Sequence, residues 1–212
     1  MSEVLHQVTQ AITADDLPRM VLSRTDLPAP LRDLIPARAG FLDNHSLAEQ
    51  GLPGSTAERF REIGRLTGYL QEFLPAAPEG HKLPPGFLLA ASTVVHLFDD
   101  MQSVSRWIEE VFLRDFESRL DEEIHPGQHL LAVERLQFEG FTDETAGLRV
   151  LQSSPEGPVS STVVDFRVGR LLGVAYVVTL GNYTQQSLTQ RLGQTLERRM
   201  VQAILEVPDR SS

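Results

Sequence analysis

The residues best typed for chemistry sit in "DEEIHPGQH", Asp121 to His129, where three carboxylates and two imidazoles fall within nine positions. Carboxylate oxygens and imidazole nitrogens serve as hard and borderline metal ligands, so Asp121, Glu122, Glu123, His125 and His129 form a candidate metal loop. Pro126 and Gly127 lie between the two histidines, so His125 and His129 cannot share a helix face as the histidines of HExxH do. The competing reading is a solvated helix end running into a loop. A second cluster is His96 with Asp99 and Asp100, since an imidazole beside a carboxylate is the pairing a general base needs. Ser46, Ser55, Ser92 and Ser161 are available hydroxyls, yet none stands in a G-x-S-x-G elbow, and no nucleophile partner for His96 is evident. Its alternative is a partly buried histidine bonded to backbone. On these grounds no catalytic residue, no metal ligand and no cofactor is assigned.

Three further features are weighed between function and architecture. Gly64 and Gly68, four apart beside Tyr69, either floor a shallow pocket or allow close packing of a helix on a sheet. From Glu109 to Glu123 the chain carries seven acids against two arginines, either a surface that steers a basic partner or a solvated helical face. The stretch "VVDFRVGRLLGVAYVVTLGN", Val163 to Asn182, is glycine-rich but lacks the Gly-x-Gly-x-x-Gly order of a phosphate loop.

Composition bounds the rest. The chain has 212 residues, 41% hydrophobic and 23% charged, with 19 Lys+Arg against 29 Asp+Glu and a formal net charge of −10. That balance disfavours nonspecific nucleic-acid binding and anionic membrane surfaces, both of which need a basic face. Without cysteine there are no disulfides and no thiolate ligands. No run approaches the roughly 18 apolar residues of a membrane span. The first twenty residues lack a signal peptide's basic start and apolar core, so the expected location is cytoplasmic, or extracytoplasmic if a leader has been removed.

The elements that must position these residues follow from periodicity. Val4, Leu5, Val8 and Ile12 predict a short peripheral helix, and the proline-rich run from Leu17 to Pro53 predicts extended pieces and turns. Ser55 and Glu58 form a capping-box pattern before Phe60, Ile63, Thr67, Leu70 and Leu74, which predicts one helix to Leu74. "LPAAPEGHKLPP" follows as a connector. Gly86 to Phe98, apolar on both alternating faces, predicts a covered strand, and Asp99 or Asp100 caps the amphipathic helix after it. From Leu130 to Leu180 a period of two predicts an antiparallel meander of about four strands. Its last hairpin turns at Gly169-Arg170, a type II′ turn that places Phe166 opposite Gly173 and Val164 opposite Ala175. Asp165 and Arg167 then share a face expected to be wetter at the turn and drier near Val163 and Tyr176. A terminal helix capped by Asn182 or Thr184 buries Leu188, Leu192, Leu196 and Met200.

The phrases "DLPRMVLSRTDLP", "GFLDNHSLAE", "RFREIGRLTGYLQEF" and "DFRVGRLLGVAYVV", in this order from about residue 17 to 206, resemble a group of uncharacterised bacterial proteins, usually secreted or lipid-anchored. Their layout is similar to the PsbP-like and LpqN-like architecture, an antiparallel sheet covered by helices. The resemblance implies a binding or accessory module and carries no site residues. The sequence departs from that group's pattern in starting without a leader-like stretch and in containing no cysteine.

The expected fold is α+β: an antiparallel sheet of about five to seven strands under amphipathic helices. An N-terminal helical extension, residues 1–16, precedes a single domain over 17–208 and a tail at 209–212. The expected function is a non-catalytic binding or accessory module for a small molecule or a protein partner. The alternatives are a hydrolase or metal-assisted enzyme using His96, Asp99 and Asp100 or the His125/His129 loop, and a structural homo-oligomer that docks through Val4 to Ile12.

Overall fold

The computed structural model describes residues 7–76 and 83–206. Among these residues eight strands form one sheet in the order β1-β2-β3-β8-β7-β6-β5-β4, antiparallel at every neighbour. They are β1 (Ile35–Leu42), β2 (Arg65–Leu74), β3 (Leu88–Phe98), β4 (Glu123–His125), β5 (Gln128–Leu136), β6 (Thr145–Gln152), β7 (Val159–Val168) and β8 (Leu171–Leu180). The chain thus makes a three-stranded meander, crosses the sheet to its far edge, and returns by a five-stranded meander that closes beside β3.

Each sheet face is apolar because alternate side chains of β3, β7 and β8 point to opposite sides. On one face, Val164, Phe166, Ala175 and Val177 pack with Leu192, Leu196 and Met200 of the terminal helix, Gln186–Leu205, and with Leu17, Met20 and Leu22 of the N-terminal segment. That segment runs through short 3-10 turns at Ala14–Arg19, Arg24–Asp26 and Ala29–Leu31, the conformation its prolines permit. The opposite face carries α1 (Asn44–Glu49), α2 (Ala57–Glu62) and α3 (Met101–Trp107), with a core of Phe60, Phe98, Trp107, Ile108, Leu148 and Leu172. The terminal helix is α4. Helix α3 runs on into a π-helical stretch, Ile108–Arg114, and a last α-turn, Asp115–Glu117, and this continuous element makes the crossing to β4.

The antiparallel sheet under helices agrees with the α+β expectation, with eight strands where five to seven were expected. The hairpin of β7 and β8 has the predicted register, Phe166 opposite Gly173 and Val164 opposite Ala175. Gly169 takes the positive φ of 59°, while Arg170 stays outside the left-handed region, as a II′ turn requires.

Four expectations are corrected. The helix predicted from Ser55 to Leu74 stops at Glu62, because Gly64 turns the chain at φ 94° and residues 65–74 pair with β1 and β3 as a strand. The cap is Thr56, whose hydroxyl accepts from the Arg59 amide at 3.1 Å, in place of Ser55. Helix α4 begins after Gln185 with no side-chain cap, because Asn182 and Thr184 lie in an exposed turn before it. The wet and dry ends of the Asp165 face are reversed: the crossing element covers the turn end, leaving Asp165 only 2% exposed, while Val163 and Tyr176 are half-buried. In the predicted N-terminal helix, Val4 and Leu5 lie outside the described residues, residues 7–9 are helical, and Ile12 is buried in the core against α4 and the N-terminal turns.

Candidate functional site

A pocket of about 190 Å³ opens on the sheet face that carries α1, α2 and α3, between the connection from α1 to α2 and the wall made by Trp107 and the π-helical stretch. Its apolar lining is Leu47, Leu52, Phe60, Trp107, Val111 and Phe116, with Ile124 at the β4 end. A π-helix is wider than an α-helix and poorly bonded, so it persists where neighbours or a functional surface hold it. Here it brings Val111, and the α-turn after it brings Asp115, to the same opening as Trp107.

The polar lining divides into spent and free groups. Asp115 accepts two bonds from the Arg59 guanidinium, at 2.6 and 3.1 Å, a bidentate pair that ties α2 to the end of the crossing element. Gln50 accepts from Arg38 at 2.9 Å and donates to the Ser46 carbonyl at 3.0 Å. The side chains of Ser55, His125 and Gln152 have no hydrogen-bond partner among the described residues, and all three border the cavity. Gly51 makes room for Ser55, since a Cβ there would lie 2.7 Å from the serine hydroxyl.

Behind Trp107 stands a buried network. The Arg65 guanidinium, 1% exposed, donates to Asn44 Oδ1 at 2.6 Å, to the Leu42 carbonyl at 2.8 Å and to His96 Nδ1 at 3.1 and 2.9 Å. Asn44 returns a bond from Nδ2 to the Arg65 carbonyl at 2.9 Å. Burial pushes the Arg65 pKa down to about 9, opposed by the charge of Asp43, so the group is cationic at neutral pH. Burial, then the charge of Arg65, holds the His96 pKa well below its ordinary value. Because Nδ1 accepts, the neutral ring carries its proton on Nε2. Gly68 admits the network: a Cβ there would meet His96 Nδ1 at 2.5 Å and Arg65 at 2.8 Å. Arg65 lies 5.9 Å from the Trp107 ring centroid, and Phe60, Phe98 and His96 surround the same ring at 4.9, 5.6 and 5.9 Å. The indole is therefore a fixed wall of the pocket.

The structure separates the residues that the sequence suggested for chemistry. Asp100 caps α3, accepting from the Ser103 amide at 2.7 Å, and Asp99 is exposed in the turn where its amide bonds the Gly64 carbonyl. His96 meets Arg65 instead of either carboxylate. His125 reaches the pocket, whereas His129 is exposed and lies opposite Glu123, whose Oε1 accepts from the Gly127 amide at 2.7 Å. Among the described residues no group of three His, Cys, Asp or Glu side chains could hold a metal ion. Ser55 reaches the pocket, Ser46 lies in α1, Ser161 is half-buried on β7, and Ser92 is buried on β3 opposite Tyr176. Gly64 and Gly68 serve close packing, though in a turn and a strand instead of a helix.

Four of the seven acids from Glu109 to Glu123 are paired with arginines. Besides Asp115 with Arg59, Glu117 pairs with Arg135, Glu109 with Arg114 and Glu122 with Arg119. Sequence reasoning missed Trp107 and Arg65. The first is the chain's one tryptophan, on an amphipathic helix, and that was the available signal. Arg65 was hidden inside the expected helix.

Among the described residues no helix is long and apolar enough to cross a membrane. No family model matches the chain, and no curated protein matches it. Among solved structures it is similar to the extracellular domain of PknH from Mycobacterium tuberculosis, with a TM-score of 0.58 and 9% identity over 92% of this chain and 98% of that one. At that identity the likeness shows a shared fold, the helix-covered antiparallel sheet, and the comparisons carry the PsbP-like and LpqN-like resemblance no further.

Proposed function

We propose that this protein is a binding module for a small molecule, held in the pocket between α1, α2 and the π-helical stretch. The observation that carries the reading is the combination in one cavity of an apolar, aromatic lining with three unspent hydrogen-bonding side chains, Ser55, His125 and Gln152. Ligand sites are concave, mostly apolar and furnished with a few polar groups that set orientation. The rigid backing of Trp107 and the Arg59 pair with Asp115 support a preformed pocket, which lowers the ordering cost of binding. In this reading residues 17–208 act as the binding domain, to which Ile12 of the preceding segment is tied through the core. A shared fold with an extracellular domain is in keeping with a module that works outside the cytoplasm.

The test uses the single tryptophan. Small molecules of varied shape and charge are titrated while Trp107 emission is followed, and native mass spectrometry of gently purified protein reports any retained ligand. Saturable emission changes that vanish in Val111→Phe, a variant that fills the cavity, are expected while the circular dichroism spectrum is unchanged. No response to any compound, together with a bare polypeptide mass, overturns the reading.

A further inference from the structure

The chemistry of the cavity narrows its ligand, on the reading that the pocket binds a small molecule. Size comes first: a cavity of about 150 Å³ lined by Leu, Ile and Phe accepts benzene, so about 190 Å³ holds a one-ring molecule with a substituent or a small fused bicycle. Shape comes second. Phe60 and Trp107 stand 4.9 Å apart and are tilted by 56°, and Phe116 completes the aromatic lining. Ring quadrupoles favour a further ring in offset or edge-to-face contact, an advantage a flexible chain does not share.

Charge comes third. Among the described residues the lining holds no lysine or arginine, and the one carboxylate there, Asp115, is already paired with Arg59 in bidentate geometry. An ionic ligand would lose its hydration without gaining a permanently charged, unpaired counter-ion. What remains is His125, Gln152 and Ser55, with free donor and acceptor capacity at the border of an apolar cavity. From these four properties we infer that the ligand is a neutral aromatic ring bearing a hydrogen-bonding substituent, of the size of a phenol or an indole, with the substituent read by His125 and Gln152.

The test compares phenol and indole with toluene, hexan-1-ol, benzoate and benzylamine on the intact protein, by calorimetry and by chemical shifts of the Trp107 indole. Phenol and indole are expected to bind about tenfold or more tightly than the charged rings and the aliphatic alcohol, the scale of one well-made hydrogen bond or a lost ring contact. The double variant His125→Leu, Gln152→Leu is expected to weaken phenol about tenfold and to leave toluene within about twofold. Benzoate or hexan-1-ol binding as tightly as phenol overturns this assignment while the pocket stands as a binding site. So does a double variant that weakens toluene and phenol alike, or neither. No binding by any of the six probes also overturns it. The wider panel then decides the pocket itself: a non-aromatic compound displaced by Val111→Phe keeps the site, and silence throughout removes it.

Discussion

His96 Nδ1 accepts from both Nε and Nη2 of Arg65, at 3.1 and 2.9 Å, on strands that are neighbours in the sheet. A buried guanidinium is thereby satisfied by neutral acceptors, an imidazole nitrogen, an amide oxygen and a backbone carbonyl. It joins the end of β1 and the start of α1 to the central strands, and it backs the tryptophan of the pocket.

Arg65→Ala removes the centre of this network and leaves Asn44, the Leu42 carbonyl and His96 without their partner. Breaking a buried charged network by losing one member costs on the order of 3–5 kcal/mol. Urea denaturation should show a loss of that order, and a loss under about 1 kcal/mol would show that water replaces the guanidinium at little cost.

Gly68→Ala should destabilise by about 1–3 kcal/mol, the usual cost of overpacking, because its Cβ would press on His96 and Arg65 at 2.5 and 2.8 Å. The cost should shrink in an Arg65→Ala background, where the 2.8 Å contact is gone and the His96 ring, released from its donor, has room to shift. Full additivity in that double-mutant cycle would place the strain elsewhere.

Gly173→Ala should likewise lose about 1–3 kcal/mol, since the added carbon meets Met200 Sδ at 2.9 Å and presses still closer on the Phe166 ring. Met200→Ala, which empties the fully buried site on α4, should cost about 2–5 kcal/mol. Thermal melts of the two variants check both; a neutral Gly173→Ala would mean that Phe166 finds a second rotamer.

Two buried groups make stability depend on pH in opposite directions. Burial and the Arg65 charge hold His96 below its ordinary value. The unfolded imidazole therefore binds a proton that the folded one refuses, and stability falls as pH is lowered through about 6.5. Burial pushes Asp165 well above the ordinary carboxylate range. Its unfolded form ionises near pH 3.9 while the folded form keeps its proton, so stability falls as pH rises from there toward the folded value. Each proton contributes a slope of at most about 1.4 kcal/mol per pH unit. Asp165→Asn should therefore gain in stability relative to the parent as pH rises from about 4 to 7. Urea midpoints across that range decide it, and a constant difference would mean that Asp165 ionises normally in the fold.

Arg59→Ala should leave Asp115 unpaired at the pocket mouth. The side chains of this pair are 32% and 16% exposed, so solvent moderates the loss to about 1–2 kcal/mol. Benzylamine should then bind more tightly than it does to the parent, because the freed carboxylate supplies its counter-ion. Unchanged or weaker benzylamine affinity would show that Asp115 turns away into water.

What the sequence determined by itself was the alternation and spacing of apolar residues. Strand β3, the four strands from Gln128 to Leu180, the register of the last hairpin and the buried stripe of α4 were legible because each is set by local periodicity and by one glycine turn. The end of α2 was not, because Phe60, Ile63, Thr67 and Leu70 fit a helical stripe equally well. Pairing with β1 on one side and β3 on the other turned residues 65–74 into a strand, and only the tertiary structure supplies those partners. The pocket was illegible for the same reason. Its lining comes from α1, α2, the crossing element, β4 and β6, so His125 was visible as a ligand type, while its neighbours Trp107 and Gln152 were set by the path of the chain across the sheet. The Arg65 network, too, exists only because β2 and β3 pair in the register that brings Gly68 opposite His96. Side-chain chemistry is written residue by residue, but which groups share a cavity depends on long-range packing.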